Sequence, residues 1–254
     1  MTARAVAQTA LAPSPASEPL EARAARLDRE AQTLPAEAII ARALEEFPGR
    51  IALVSSFGAE AAALLHLVAK VDRLTPVIFL DTGKHFSQTL SYREDLAREL
   101  GLGDVRDIRP LAEEAALEDP KGDLWRRDND ACCALRKVRP LSEALAGFDA
   151  WFTGRKRVHG GLRAFLPIVE VAAPHIKVNP LARWTGVDVD AYSAAHGLPA
   201  HPLVEQGFPS IGCWPCTAPT AKGDDPRAGR WRGLDKTECG IHREAVSPSL
   251  REMA

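Results

Sequence analysis

Two hydrophobic periods alternate along this chain. Apolar residues recur at helical spacing over 20–32 and 35–47, with Pro35 placed for a first helical turn and Pro48-Gly49 as a stop. Four short runs follow that predict strands: 51–54 (IALV), 77–80 (VIFL), 104–108 and 150–153 (AWFT). Between them, 59–70, 86–100 (ending at Gly101) and 132–145 have the spacing of helices. Residues 168–171 and 175–178 read as a hairpin or edge pair, and 185–196 as a further helix. From Gly197 onward Pro and Gly are frequent and the periodicity fades. No internal repeat is visible. Short apolar strands alternating with helices predict an α/β fold, a mainly parallel sheet flanked by helices.

At 254 residues the chain suffices for one well-buried α/β domain plus an appendage. Residues 1–19, rich in Ala, Pro and Ser, are expected to be a disordered tail and not a signal peptide. Residues 20–220 are expected to form the α/β domain, and 221–254 a flexible C-terminal segment. Lys plus Arg number 32 and Asp plus Glu 34, a net charge of -2, which argues against nucleic acid as a partner. No stretch is long and apolar enough to span a membrane. Five unevenly spaced cysteines do not suit a secreted disulfide framework, so a reducing cytoplasm with free thiols is the expected setting.

Two turns carry candidate chemistry. Ser55, Ser56, Gly58 and Glu60 lie in SSFGAE, between the first predicted strand and its helix. In a parallel sheet that turn falls at the carboxyl edge, where small residues, hydroxyls and a helix N-terminus can receive a phosphate. It is neither a Walker loop nor a dinucleotide fingerprint, and taken alone it reads slightly better as an ordinary tight turn with Ser capping the helix. Asp81, Thr82 and Gly83 follow the second strand at the same edge. Two such turns together point to a nucleotide pocket.

Cys132-Cys133 and Cys213-Trp214-Pro215-Cys216 form two close pairs far apart in sequence. Four thiolates from two pairs can close around Zn or an iron–sulfur cluster. Adjacent cysteines diverge, which suits a larger cluster better than a single ion. Cys239 differs: it sits in a polar stretch, with Lys236, His242 and Arg243 near enough in sequence to favour its thiolate. It is a nucleophile candidate. Lys137, the 154–159 run with Arg155 in it, and Arg227 and Arg230 supply positive charge for a small polyanion.

Eight stretches in family order carry a specific resemblance: SSFGAE (55–60), DTG (81–83), CCALRKVRPL (132–141), WFTGRKR (151–157), KVNPLARW (177–184), PSIGCWPCT (209–217), RAGRW (227–231) and ECGIH (238–242). The chain resembles the assimilatory adenylyl sulfate (APS) / phosphoadenylyl sulfate (PAPS) reductases, in the branch that carries a cluster. The resemblance implies an adenine-nucleotide α-hydrolase-like (PP-loop) fold, with SSFGAE as its modified loop. It implies a [4Fe–4S] cluster on Cys132, Cys133, Cys213 and Cys216, and a preference for APS over PAPS. Residues 20–220 then become a nucleotide-binding reductase domain and 221–254 a mobile segment closing over substrate. Ala61, the Lys84-His85-Phe86 run after DTG and Ile241 in ECGIH depart from the usual family pattern.

The implied reaction is attack of Cys239 on the sulfur of APS, departure of AMP, and release of sulfite by a dithiol protein, thioredoxin or glutaredoxin. Lys137, Arg155, Arg227 and Arg230 would neutralise the anion, and His242 would orient Cys239 or the sulfate. The resemblance is compatible with a homo-oligomer, dimer or tetramer. Three rivals remain: an ATP-dependent adenylating enzyme on the same fold, for which SSFGAE lacks the Gly pair and Asp; a PAPS reductase, or one acting on both substrates; and a non-catalytic Zn-binding module with an inert Cys239.

Overall fold

The computed structural model describes residues 18–242 except 160, 235 and 237. Its sheet has six strands in the order β3-β2-β1-β4-β6-β5. They are β1 (Ile51–Val54), β2 (Val77–Leu80), β3 (Val105–Ile108), β4 (Ala150–Phe152), β5 (Val169–Ala172) and β6 (His175–Val178). Every pairing is parallel except β5 with β6, which is the expected hairpin at one edge. At the other edge β3 (VRDI) turns Arg106 and Asp107 to solvent, as an edge strand should.

Alternation along the strands builds two cores. Ile51, Leu53, Val77, Phe79, Ala150 and Phe152 face α1 (Leu20–Ala31), α2 (Ala36–Glu46), α3 (Ala61–Val71) and α4 (Ser87–Glu99). Ala52, Ile78, Leu80 and Trp151 face the other way, onto Leu141 and Leu145 at α8 (Arg139–Ala144). Helix α3 (AAALLHLVAKV) buries seven of its residues, consistent with a run that is apolar on nearly every side.

The predicted helices appear with small shifts of boundary. Helix α3 starts at Ala61 with no side-chain cap; the Ser55 hydroxyl instead accepts from the Phe57 N–H at 3.1 Å. The 132–145 helix is composite: α7 (Asn129–Cys133), a π-turn at Ala134–Val138, then α8. Pro140 has no N–H to give, and just before it the ladder widens so that Arg139 N–H reaches the Ala134 carbonyl. Helix α5 (Ala112–Glu118) and the short α6 (Leu124–Arg127) had no apolar period to reveal them, and α5 has no buried residue. The last helix is α9 (Gly186–Ala195), opened by a capping box at Thr185 and Asp188. No helix among the described residues is long and apolar enough to cross a membrane.

The strand order fixes where a ligand can sit. The chain leaves β1 outward through β2 and β3, then returns to place β4 on the other side of β1. The loops after β1 and β4 therefore diverge and open a crevice at the carboxyl edge. Lys156, after β4, spans it to pair with Glu60, after β1.

His201, buried beside α4, is held neutral. It accepts from Leu203 N–H at 3.1 Å, its other ring nitrogen lies 3.0 Å from Thr89 Oγ1, and burial pulls its pKa down to about 4. The unfolded chain, with an ordinary histidine, takes up the proton first as pH falls. Stability from this site is therefore complete above about pH 6.5 and lost between there and pH 4, on the order of 3 kcal/mol. Thermal unfolding of His201→Asn, less stable at neutral pH, is expected to decline less steeply across that window than wild type.

Candidate active site

At the crevice lies a cavity of about 240 Å³. Its floor is the 55–60 loop, its far wall the segment after β4, and its lid the C-terminal segment. Phe57 holds the loop in place. Its backbone is left-handed (φ 48°), and its fully buried ring meets Phe79 edge to face at 5.6 Å, so packing offsets the strain. Ser55, Ser56, Gly58 and Glu60 all line the cavity.

The C-terminal segment is seated on the site. Thr217 and Arg230 form an antiparallel bridge, and Ala218 N–H donates to Gly229 O at 2.8 Å. A side chain at Gly229 would meet Ala218 O at 2.0 Å, so this turn requires glycine. Arg227 and Arg230 lie over the Trp231 ring at 5.7 and 4.5 Å. Beyond them, Glu238 pairs with Arg163 at 2.5 Å, Ile241 packs on the second core and His242 stacks on Trp151 with ring centroids 5.8 Å apart. Cys239 thereby faces the cavity together with Lys137, Arg155, Arg227, Arg230 and His242. Arg243 lies outside the described residues.

Positive charge is crowded here, and carboxylates meet part of it: Arg155 pairs with Glu170, and Glu238 lies 2.5 Å from Arg163 and 3.9 Å from Arg227. Burial, then the neighbouring Arg163, pulls the pKa of Arg155 down to about 10; burial and Arg163 do the same to Arg227. Burial also lowers Arg230, against the pull of Cys239, Cys213 and Cys216. All three stay charged at neutral pH. Four buried nitrogens on the cavity lining have no hydrogen-bond partner among the described residues: Arg155 Nε, Arg230 Nε, His85 Nδ1 and His242 Nδ1. Each such atom costs about 1–3 kcal/mol until a partner arrives. The Arg155 and Arg230 Nε–H groups are donors that an anion can accept from, whereas His85, whose Nε2–H donates to Leu80 O, presents Nδ1 as an acceptor.

Lys137 joins this cavity to a second one. Burial opposes its charge, but Cys213, Cys239 and Cys133 outweigh burial and hold its pKa above the ordinary range. The second cavity is lined by Cys132 and Cys133 from α7, Cys213 and Cys216 around the Trp214–Cys216 turn, and Thr82, Asn129 and Arg136. Burial first, then the other three thiols, pushes Cys132 up to about 11. Thr82 Oγ1 lies 3.3 Å from Cys213 Sγ, and Asn129 Nδ2–H donates to Cys216 Sγ at 3.2 Å. Among the described residues, no three His, Cys, Asp or Glu gather tightly enough for a single metal ion.

The second turn departs from its expected place. Asp81 accepts from Gly83 N–H at 3.0 Å and pairs with Arg109 at 2.8 Å, Thr82 faces the cysteines, and none of Asp81, Thr82 and Gly83 lines the larger cavity. Their place there is taken by His85, whose Nε2 bonds Leu80 O at 2.8 Å. His242, read as an orienting group, lines the cavity with Cys239, and burial, followed by Arg155 and Lys177, holds its pKa well below the usual value. Sequence reasoning missed Arg163, which lies in a Gly-rich stretch without period, and Glu238 as its partner.

Comparison with known proteins agrees with this geometry. The model of the phosphoadenosine phosphosulfate reductase domain family matches residues 50–219. The chain is 50% identical over 229 residues to a protein of Chelativorans sp. (strain BNC1) named adenosine 5'-phosphosulfate reductase, covering 89% of this chain and 94% of that one. A Mesorhizobium japonicum protein of the same name is 50% identical over 240 residues, 93% of this chain and 94% of the other. The solved structure of phosphoadenylyl-sulfate (PAPS) reductase from Candida auris, a phosphate complex, is 28% identical with a TM-score of 0.68, covering 80% of this chain and 98% of that chain.

Gly212 tests the anion cradle. A Cβ there would meet the Arg230 guanidinium at 2.2 Å, the mobile end of a side chain, so Gly212→Ala is expected to fold with Arg230 displaced. Loss of one charged hydrogen bond should weaken AMP binding on the order of 10- to 100-fold by calorimetry. Unchanged affinity would remove Arg230 from the cradle.

Proposed function

This chain belongs to the phosphoadenosine phosphosulfate reductase domain family, and we propose that it reduces adenosine 5'-phosphosulfate to sulfite and AMP through Cys239. The reading is carried by one observation: the Cys239 thiol shares a buried, cation-lined cavity with Lys137, Arg155, Arg227 and Arg230, at the crevice where this sheet receives a ligand.

The 55–60 loop and the start of α3 would hold the nucleotide, with Ser55, Ser56, Gly58 and Glu60 against it. Lys137, Arg227 and Arg230 would neutralise the sulfate and phosphate oxygens, lowering the repulsion an incoming thiolate meets. Cys239 Sγ attacks the sulfur; an S–S bond forms, the S–O bond to phosphate breaks, and the electron pair leaves on AMP. A dithiol protein, thioredoxin or glutaredoxin, then attacks Cys239 Sγ. Sulfite departs with the electron pair, and the second thiol of the partner resolves the mixed disulfide. The two electrons come from that dithiol. His242 would accept a hydrogen bond from the ligand at its unpartnered Nδ1.

The other four cysteines fit an iron–sulfur cluster, [4Fe–4S] in our reading. Their donor set is all thiol, both pairs line one cavity, and the adjacent Cys132 and Cys133 suit a cluster better than a single ion. Bound there, the cluster would brace α7 against the Trp214–Cys216 turn and place fixed charge beside Lys137. Five free thiols suit a reducing cytoplasm.

Sulfite release measured with thioredoxin tests the reading. Wild type is expected to prefer APS to its 3'-phosphorylated form, and Cys239→Ser to be inactive with both. Preference for the 3'-phosphorylated form would keep the mechanism and change the substrate. Appreciable turnover by Cys239→Ser would contradict the mechanism. Anaerobically purified protein is expected to be brown, with iron and acid-labile sulfide; colourless zinc protein would support the binding-module rival.

A further inference from the structure

Lys236 precedes Cys239 by three residues, and its side chain is only 4% exposed. Its ammonium donates to Asn129 Oδ1 at 2.7 Å, to Asp130 Oδ1 at 2.6 Å and to Asn129 O at 3.3 Å, and lies 3.4 Å from Cys133 Sγ. Asn129 is used at both ends of its carboxamide: Oδ1 receives Lys236 and Nδ2–H reaches Cys216 Sγ. One contiguous set of bonds therefore links the Cys239 segment to a cysteine of each pair.

The partners of Lys236 all stand on α7, a five-residue helix. α7 opens the composite helix that continues through the π-turn into α8, and the Asp128 side chain caps its start. Two bonds of the set end on sulfur atoms that the cluster would also hold, Cys133 Sγ from Lys236 and Cys216 Sγ from Asn129. We propose that Lys236 is a positioning residue, a latch that seats the Cys239 segment on α7 when the cysteine cavity carries its cluster, so that cluster occupancy and closure of the nucleophile over the site are coupled. This rests on the cluster reading above. It gives the cluster a part in the reaction that needs no change in its own redox state.

The test is the rate at which iodoacetamide alkylates Cys239 in the full chain, followed by peptide mapping, with and without reconstituted cluster. In wild type, loading is expected to slow alkylation on the order of tenfold or more, the worth of a charged hydrogen bond. In loaded Lys236→Met that protection should largely vanish, at wild-type iron content and visible spectrum. Lys236→Arg should restore most of it, and Asn129→Ala should lower it. Loaded Lys236→Met as well protected as wild type would overturn the latch while leaving the cluster reading intact. A Lys236→Met protein that cannot hold iron would make Lys236 a support for the cavity and overturn the latch too. Wild type that takes up no iron and sulfide would overturn the cluster reading and the latch with it.

Discussion

Lys137 is buried where the two cavities meet, and the sulfur atoms of Cys213, Cys239 and Cys133 around it favour its charged form against burial. That placement organises the site. It ties the nucleophile to the cysteine cavity through one side chain on the π-turn before Pro140.

The fold delivers these segments to one edge. The reversal of strand order between β1 and β4 opens the crevice, and the Lys156–Glu60 pair crosses it. The remaining wall is the C-terminal segment, which brings its own arginines and stacks His242 on Trp151 of β4. The result is a cavity with more cations than internal partners. Glu238 and Glu170 meet some of that charge, through Arg163 and Arg155. The Nε–H groups of Arg155 and Arg230 have no hydrogen-bond partner among the described residues and can donate to an anionic ligand.

Much of the architecture was legible because burial writes a period into the chain. The strands IALV and VIFL and helix α3 announce themselves through continuous apolar runs. Helices α5 and α6 do not, since α5 buries nothing and α6 is a single turn. The two Cys pairs and Cys239 stood out by spacing. What spacing could not show was direction: Asp81 and Gly83 share an edge with the cavity yet satisfy one another, while His85 beside them turns in. Arg163 was invisible because its role comes from a tertiary ion pair with Glu238, 75 residues away.

The most direct test of the central claim is intact-mass spectrometry of anaerobically purified protein incubated with APS and no reductant. One added sulfonate, mapped to Cys239 and removed by thioredoxin as sulfite, is the expected result. Cluster-replete protein that gains no adduct from APS or from its 3'-phosphorylated form would contradict nucleophilic reduction by Cys239.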